Sequence, residues 1–170
     1  MSTKTSEKSA VTARAGRYLT FNLAGELYGL EILKVQEIIG IMNVTRVPRA
    51  PDYIRGVINL RGKVIAVLDL RRKLNFDSKA DNERTCIVVV QVQRGDSIIT
   101  MGVIVDTVSE VLNVNADQIE ATPEFGINIA TEFILGMAKV GKNVIILLDA
   151  DCILSQGELK ETAESAKAGH

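Results

Sequence analysis

Hydrophobic and polar positions follow the two-residue period of β-strands along most of the chain. In residues 18–23, Leu19, Phe21 and Leu23 fall on one face of an alternating segment. Other short apolar runs, each ended by glycine or polar residues, also predict strands. They cover residues 27–30, 57–60, 64–68, 87–92, 98–105, 133–140 and 144–148. Val, Ile and Leu dominate these runs, and β-branched side chains pack well on a pleated surface.

Tight turns join several of these runs into hairpins. Arg61-Gly62-Lys63 and Gly141-Lys142 each separate two apolar runs, and glycine supplies the positive φ that a tight turn needs. Two segments depart from the strand pattern. Residues 31–40 suggest a short helical turn that runs into a strand, and residues 150–154 suggest a short helix.

The second half of the chain repeats the first. Residues 133–149 echo residues 53–69 at an offset of 80, which slips by one at the Gly-Lys turn, and residues 102–111 echo residues 29–38 at an offset of 73. Two echoes in the same order predict one structural unit used twice. About five short strands in each half suit a small closed barrel, which leaves few exposed sheet edges.

The same pattern predicts the domain organisation. Residues 1–16 are a polar arm, residues 17–154 form the folded domain, and residues 155–170 are a polar tail. Within the domain, the first subdomain spans about residues 17–74 and the second about residues 85–154, and strands can be exchanged between them.

The composition argues against most catalytic mechanisms and metal sites. The single histidine is the last residue, His170, and the chain has no CxxC motif and no phosphate-binding glycine loop. We therefore expect no cofactor and no metal. Cys86 and Cys152 lie in apolar runs, which predicts buried thiols in a reducing compartment. No signal peptide or spanning segment is evident, so we expect a soluble, cytoplasmic protein.

A carboxylate follows the second strand of each hairpin, at Asp69 and Asp149. Two-lobed aspartic proteases use a pair of carboxylates that share a proton, but their Asp-Thr-Gly or Asp-Ser-Gly loops are missing at both positions. We therefore predict that the two residues cap the turn or helix after each hairpin, and that the protein is not an enzyme.

Basic residues concentrate in residues 46–73, where eight of them stand against two aspartates, a balance of 8 − 2 = +6. The rest of the chain therefore carries −1 − 6 = −7. A solvated face and a docking site for an acidic protein surface are both open interpretations. Contact with RNA is less favoured, because base-stacking aromatic residues are missing. The basic residues are Arg46, Arg49, Arg55, Arg61, Lys63, Arg71, Arg72 and Lys73.

Arg61 differs from the other basic residues because it lies at the tip of a hairpin. A guanidinium held on such a support can bind a carboxylate through two hydrogen bonds. Glu37 is the best intramolecular candidate, or else both residues face a partner. Val35 and Ile38, which flank Glu37, would be buried either in the barrel or beneath a docked protein.

Several segments resemble the CheW family of bacterial chemotaxis coupling proteins. Residues 28–38 read Tyr-Gly-Leu-Glu-Ile-Leu-Lys-Val-Gln-Glu-Ile, residues 54–64 read Ile-Arg-Gly-Val-Ile-Asn-Leu-Arg-Gly-Lys-Val, and residues 67–70 read Val-Leu-Asp-Leu. Residues 102–112 and the hairpin at Gly136 resemble the second half of the family. The resemblance covers roughly residues 18–154, and the motifs occur in the order of the family.

The resemblance implies an all-β fold of two SH3-like five-stranded β barrels on a shared hydrophobic core, with short helical segments and a C-terminal helix. It also implies a non-catalytic adaptor that couples the cytoplasmic tips of chemoreceptors to the regulatory domain of the histidine kinase CheA. Such a protein is cytoplasmic and is recruited to membrane receptor arrays. A paralogous scaffold of a twitching-motility or other chemosensory array is the alternative.

Seven positions match residues that the family uses to contact its partners. In the first half they are Val35, Glu37, Ile38, Gly56 and Arg61. In the second half, Val105 and Val108 match a groove presented to receptor helices. Helices that lie in an apolar groove are a common recognition mode, which fits valine at these positions.

Overall fold

A computed structural model describes residues 15–74, 76, 80–120 and 133–154. The predicted arm up to residue 14 and the tail from residue 155 lie outside the described residues. The strands are β1 Gly16–Leu23, β2 Glu26–Glu31, β3 Val35–Gly40, β4 Ile54–Leu60, β5 Lys63–Asp69, β6 Cys86–Arg94, β7 Ser97–Val105, β8 Thr107–Val114, β9 Ile119–Glu120, β10 Ile134–Val140 and β11 Asn143–Leu148. The helices are α1 Leu70–Lys73 and α2 Ala150–Leu154, with 3₁₀ turns at Ile32–Lys34 and Ala116–Gln118.

The strands form two sheets, which confirms the all-β fold class. A six-stranded sheet has the order β8-β1-β2-β11-β10-β9, and a five-stranded sheet has the order β3-β6-β7-β5-β4. Each sheet contains one parallel pair, β2 with β11 and β5 with β7. In these pairs Gly29 lies opposite Leu147, and Gly102 lies opposite Val67. The offsets of 73 and 80 in the sequence therefore correspond to equivalent places in the two sheets.

Strands are exchanged between the two halves of the chain. After β2, the chain passes to the other sheet, where β3 pairs with β6, and after β7 it passes back, where β8 pairs with β1. After each of the exchanged strands β3 and β8, the chain continues to the opposite edge of the same sheet. Thr45 pairs with Val57 of β4, and β9 pairs with β10. Each sheet is thereby closed by a segment that follows an exchanged strand.

The main hydrophobic core is shared between the sheets. It joins Phe21 and Leu30 of the six-stranded sheet to Val88 and Val103 of the five-stranded sheet. Smaller clusters fill the other face of each sheet. In β6, Val88 faces the shared core while Ile87 faces the smaller cluster, so both faces of this strand are buried. This explains why β6 appears in the sequence as a continuous apolar run.

Both hairpins have two-residue turns, so the predicted three-residue turn after β4 is wrong. Leu60 pairs with Lys63, just as Val140 pairs with Asn143 at the same offset of 80. Arg61 and Gly62 have φ of 52° and 86°, as a type I′ turn requires. In the second hairpin the glycine, Gly141, stands first in the turn with φ of 63°. The register therefore does not slip, but the turn type differs, because Lys142 does not share the positive φ of Gly62.

The structure confirms the predicted helix caps but not the predicted burial of the cysteines. Asp69 accepts a hydrogen bond from the backbone N of Arg71 (3.1 Å), and Asp149 accepts one from Cys152 N (3.2 Å), which confirms the predicted caps. The prediction of two buried thiols is wrong, because Cys86 is half-buried and Cys152 on α2 is exposed. In the described part of the chain, no helix has the length and apolar character needed to cross a membrane.

Candidate partner-binding site

Glu37 and Arg61 form a two-point ion pair between opposite edges of the five-stranded sheet. Glu37 lies on the edge strand β3, and Arg61 lies in the turn that connects β5 to the other edge strand, β4. The distance from Arg61 Nη1 to Glu37 Oε2 is 2.6 Å, and Arg61 Nη2 binds Oε1. The structure thus brings together the two residues that the sequence analysis paired.

The ion pair is accessible from solvent. The Arg61 side chain is 67% exposed, and that of Glu37 is 22% exposed. The hydrogen bond from Arg61 lowers the pKa of Glu37 below its ordinary value, and the same contact raises the pKa of Arg61. Both groups are therefore charged at neutral pH. Because exposed ion pairs contribute little to stability, a partner can reorganise this one at small cost.

The apolar neighbours of Glu37 have different environments. Val35 is half-buried and packs on the shared core, whereas Ile38 is 43% exposed. Gly56 is buried in β4, and a Cβ atom there would lie 2.1 Å from the carbonyl oxygen of Thr45. In this structure Ile38 is accessible to a partner, while Gly56 permits the close approach that closes the sheet.

Val105 and Val108, the contact residues predicted in the second half, have little or partial exposure to solvent. Val105 is fully buried in the shared core, and Val108 is half-buried against it. A contribution of Val105 to binding would therefore be indirect, through the position of the exchanged strand β8. Glu110 and Val111 are the repeat equivalents of Glu37 and Ile38, and Val111 is 45% exposed. The equivalent of Arg61 is Gly141, so the ion pair is not repeated in the second half.

A buried charge cluster lies at the other end of β5 from Arg61, and it was not predicted from the sequence. The Arg71 side chain, 2% exposed, binds Asp69 through two nitrogens at 2.9 and 3.1 Å. It also binds Asp106 at 3.2 Å and Asp81 at 3.1 Å. Asp106 in turn accepts a hydrogen bond from Ala24 N (3.0 Å), at the β1–β2 turn of the other sheet. Arg71 therefore connects the two sheets.

Arg55 completes the charge cluster. It binds Asp69 at 3.0 Å and Asp81 at 2.8 Å. Burial would raise the pKa of Asp69, but hydrogen bonds from Arg71 and Arg55 outweigh burial and hold it below the ordinary value. The pKa of Asp81 is also lowered, chiefly by its hydrogen bond with Arg55. The carboxylates thus remain ionised at neutral pH.

The basic residues of residues 46–73 do not form one face. Arg71 is buried, Arg55 binds aspartates and Arg61 binds Glu37. Lys73 Nζ lies 4.5 Å from the centre of the Tyr53 ring and 5.1 Å from that of Phe133. This dispersal argues against a continuous track for an RNA backbone. Among the described residues, no group of three His, Cys, Asp or Glu could hold a metal ion.

Comparison with known proteins identifies the family. The fold defines a module of two β subdomains, one of which carries an exposed ion pair. The family model for the CheW-like domain matches residues 17–158. The chain therefore belongs to the CheW family, whose members are adaptor and scaffold proteins of chemotaxis.

Relatives from several bacteria agree. Chemotaxis protein CheW of Klebsiella aerogenes is 40% identical over 151 residues, covering 89% of both chains. Chemotaxis protein CheW of Treponema pallidum is 30% identical over 158 residues, covering 91% of both. The crystal structure of the scaffolding protein TtCheW from Thermoanaerobacter tengcongensis has a TM-score of 0.74 and 32% identity, covering 85% of this chain and 95% of that one. The comparison supports the expected pair of SH3-like β subdomains.

Proposed function

We propose that the protein is a non-catalytic adaptor that couples the cytoplasmic tips of methyl-accepting chemoreceptors to the regulatory domain of the histidine kinase CheA. The observation that carries the proposal is the exposed Glu37–Arg61 ion pair, at positions that match the contact motifs of the family. Ile38 and Val64, near the pair in sequence, are 43% and 71% exposed. Apolar residues next to accessible charges are typical of protein interfaces.

Two related surfaces support the proposal of two partners. The repeat equivalents of Ile38 and Val64 are Val111 and Val144, which are 45% and 51% exposed on the other sheet. The surfaces differ in the position of charge, because the first turn reads Arg61-Gly62 and the second reads Gly141-Lys142. Similar folds with differently placed charges suit an adaptor that must discriminate between two proteins.

Recruitment to membrane arrays follows from the same proposal. The protein would reach the membrane through the receptor tips and would need no membrane segment of its own. The chemotaxis names of its relatives favour this pathway over a twitching-motility array.

Co-sedimentation tests the proposal. The purified protein is mixed with a receptor cytoplasmic fragment, with the kinase regulatory domain, and with both together. We expect it to pellet with receptor assemblies and to carry the kinase domain with it. An adaptor that binds each protein alone but never both together would contradict the proposed coupling.

A further inference from the structure

An arginine-lined cleft lies apart from the Glu37–Arg61 ion pair. It forms where residues 46–52 meet β4 and α1, and its lining includes Arg46, Arg55 and Arg72. Its volume is about 140 Å³. A water molecule occupies roughly 30 Å³ of liquid, so the cleft has room for a group of carboxylate size.

One wall of the cleft already binds a carboxylate. Arg55 Nη1 lies 2.8 Å from Asp81 Oδ2, and its Nη2 lies 3.3 Å from Oδ1. The Asp81 side chain is 28% exposed, so the contact borders solvent. A guanidinium fork favours this geometry for any carboxylate. An incoming acidic side chain would therefore compete with Asp81 for Arg55.

The charge of the cleft favours an anion. Among the lining residues, Arg46, Arg55 and Arg72 stand against Asp52, a balance of 3 − 1 = +2, and counting the Asp81 bound to Arg55 leaves 3 − 2 = +1. Arg46 and Arg72 are exposed, and Arg46 has no ion-pair or hydrogen-bond partner in the described part of the chain. All lining residues of the cleft are described, and none of them is aromatic. A stacked nucleobase therefore has no platform, which favours an acidic protein segment over RNA.

We propose that this cleft binds a carboxylate side chain from an acidic segment of a protein partner, which displaces Asp81 from Arg55. The inference rests on the proposed adaptor function only for the identity of that partner. Asp81 also binds Arg71 Nη2 at 3.1 Å, so its displacement reaches the charge cluster that connects the two sheets. Binding at the cleft would thus be communicated to the centre of the protein.

A fluorescein-labelled hexaglutamate peptide is the probe for the cleft. Its anisotropy is measured at low salt with the full-length protein and with three variants. Arg46→Glu/Arg72→Glu should weaken binding at least about tenfold, which is about 1.4 kcal/mol. Asp81→Asn should tighten binding, because the internal competitor loses its charge. Lys139→Glu/Lys142→Glu makes the same change in net charge on the other sheet and should bind like the wild type.

Several outcomes would overturn the inference. Equal weakening in both double variants would show that only net charge matters, and unchanged or weaker binding by Asp81→Asn would exclude competition. A single-stranded RNA oligomer that binds the wild type more tightly than the peptide, and loses binding in Arg46→Glu/Arg72→Glu, would assign the cleft to nucleic acid. Circular dichroism confirms that each variant is folded.

The same variants separate this inference from the proposed function. If Arg46→Glu/Arg72→Glu binds the receptor fragment and the kinase regulatory domain as tightly as the wild type, while Arg61→Glu does not, the adaptor proposal stands and these two proteins are excluded as the source of the carboxylate. The peptide titration then decides whether the inference fails. If the wild type binds neither protein, the adaptor proposal fails, and the peptide titration still decides whether the cleft binds carboxylates.

Discussion

Arg71 and Asp69 form a two-point ion pair in which both side chains are almost completely buried, at 2% and 3% exposed. The pair lies at the junction of β5 and α1, and Asp106 extends it toward the other sheet. Ionised groups taken out of water are costly unless their hydrogen bonds are satisfied. In the described part of the chain, no buried side-chain nitrogen or oxygen lacks a partner. The charged groups of the cluster can therefore be buried only while all of their hydrogen bonds and ion pairs are formed.

Replacement of Arg71 should be strongly destabilising. Arg71→Met leaves Asp69 and Asp106 buried without their common partner, and breaking a buried pair in this way costs about 3–5 kcal/mol. Arg71→Lys keeps the charge but not the fork, so it should lose less. Urea unfolding at neutral pH measures both. The exposed Arg46, which is outside the cluster, supplies the control, since Arg46→Met should change the free energy of unfolding by only about 0.5 kcal/mol. Similar losses at the two positions would contradict the role of the cluster.

Acid should weaken the fold through the same carboxylates. The pKa of Asp69 and that of Asp81 are lower in the folded protein than the value of about 3.9 in an unfolded chain. The folded state then binds fewer protons, so the stabilisation is fully present above about pH 4 and is lost as the pH falls through the folded pKa values. Urea unfolding followed from neutral to acid pH should show this loss.

A variant isolates the contribution of one carboxylate to the acid effect. Asp81→Asn should be less stable than the wild type at neutral pH and should lose less stability on acidification, because one titrating group has been removed. The Asp81 side chain is 28% exposed and that of Asp69 is 3% exposed, so we expect a variant at Asp81 to fold more readily than one at Asp69. Parallel pH profiles for the wild type and the variant would exclude Asp81 as a source of acid sensitivity.

The sequence predicted much of the fold, because its signals are local. Alternation located the strands, glycine located both hairpin turns, and the internal repeat showed that two units are alike. The exchange of β3 and β8 was left open, since nothing between β2 and β3 specifies which sheet edge the chain will join. Pairing with β6 and β1 decides this, and those strands lie far away in sequence.

The sequence predicted only the part of the candidate site in which the position of a single residue indicates what its side chain can contact. A long guanidinium at a hairpin tip indicated Arg61 and its pairing with Glu37. The charge cluster gave no such signal, because Arg71 lies 10 residues from Asp81 and 35 from Asp106. The depth of Val105 was equally hidden, since a matched motif identifies a position without showing which way its side chain faces.

Gly56 should be required for closure of the five-stranded sheet. Its φ of 147° and the 2.1 Å approach of a Cβ atom to Thr45 O predict that Gly56→Ala breaks the hydrogen bonds between Thr45 and Val57. Backbone strain of this kind costs about 1–3 kcal/mol. Gly40→Ala is the matched control, because a Cβ atom there meets no atom within 4 Å. Equal urea midpoints for the two variants would contradict the prediction.

Charge reversal at the exposed ion pair should remove binding without unfolding the protein. Arg61→Glu and Glu37→Lys place like charges together at a solvated position, so thermal midpoints should stay close to that of the wild type. Co-sedimentation with the receptor fragment and the kinase regulatory domain should fall at least about tenfold for one partner. Asp96→Lys, a charge reversal in the exposed turn between β6 and β7, is the control.

The double variant Glu37→Arg/Arg61→Glu distinguishes a direct contact from an internal brace. It restores an ion pair between β3 and the hairpin tip but reverses the charges that a partner meets. Because Arg61 is 67% exposed, we expect binding to remain lost in the double variant. Recovery of binding would show that the pair only holds the hairpin against β3. If both single variants recruit the partners as well as the wild type, Glu37 and Arg61 are not part of the interface. The exposed apolar residues Ile38 and Val64 would then be the next to test.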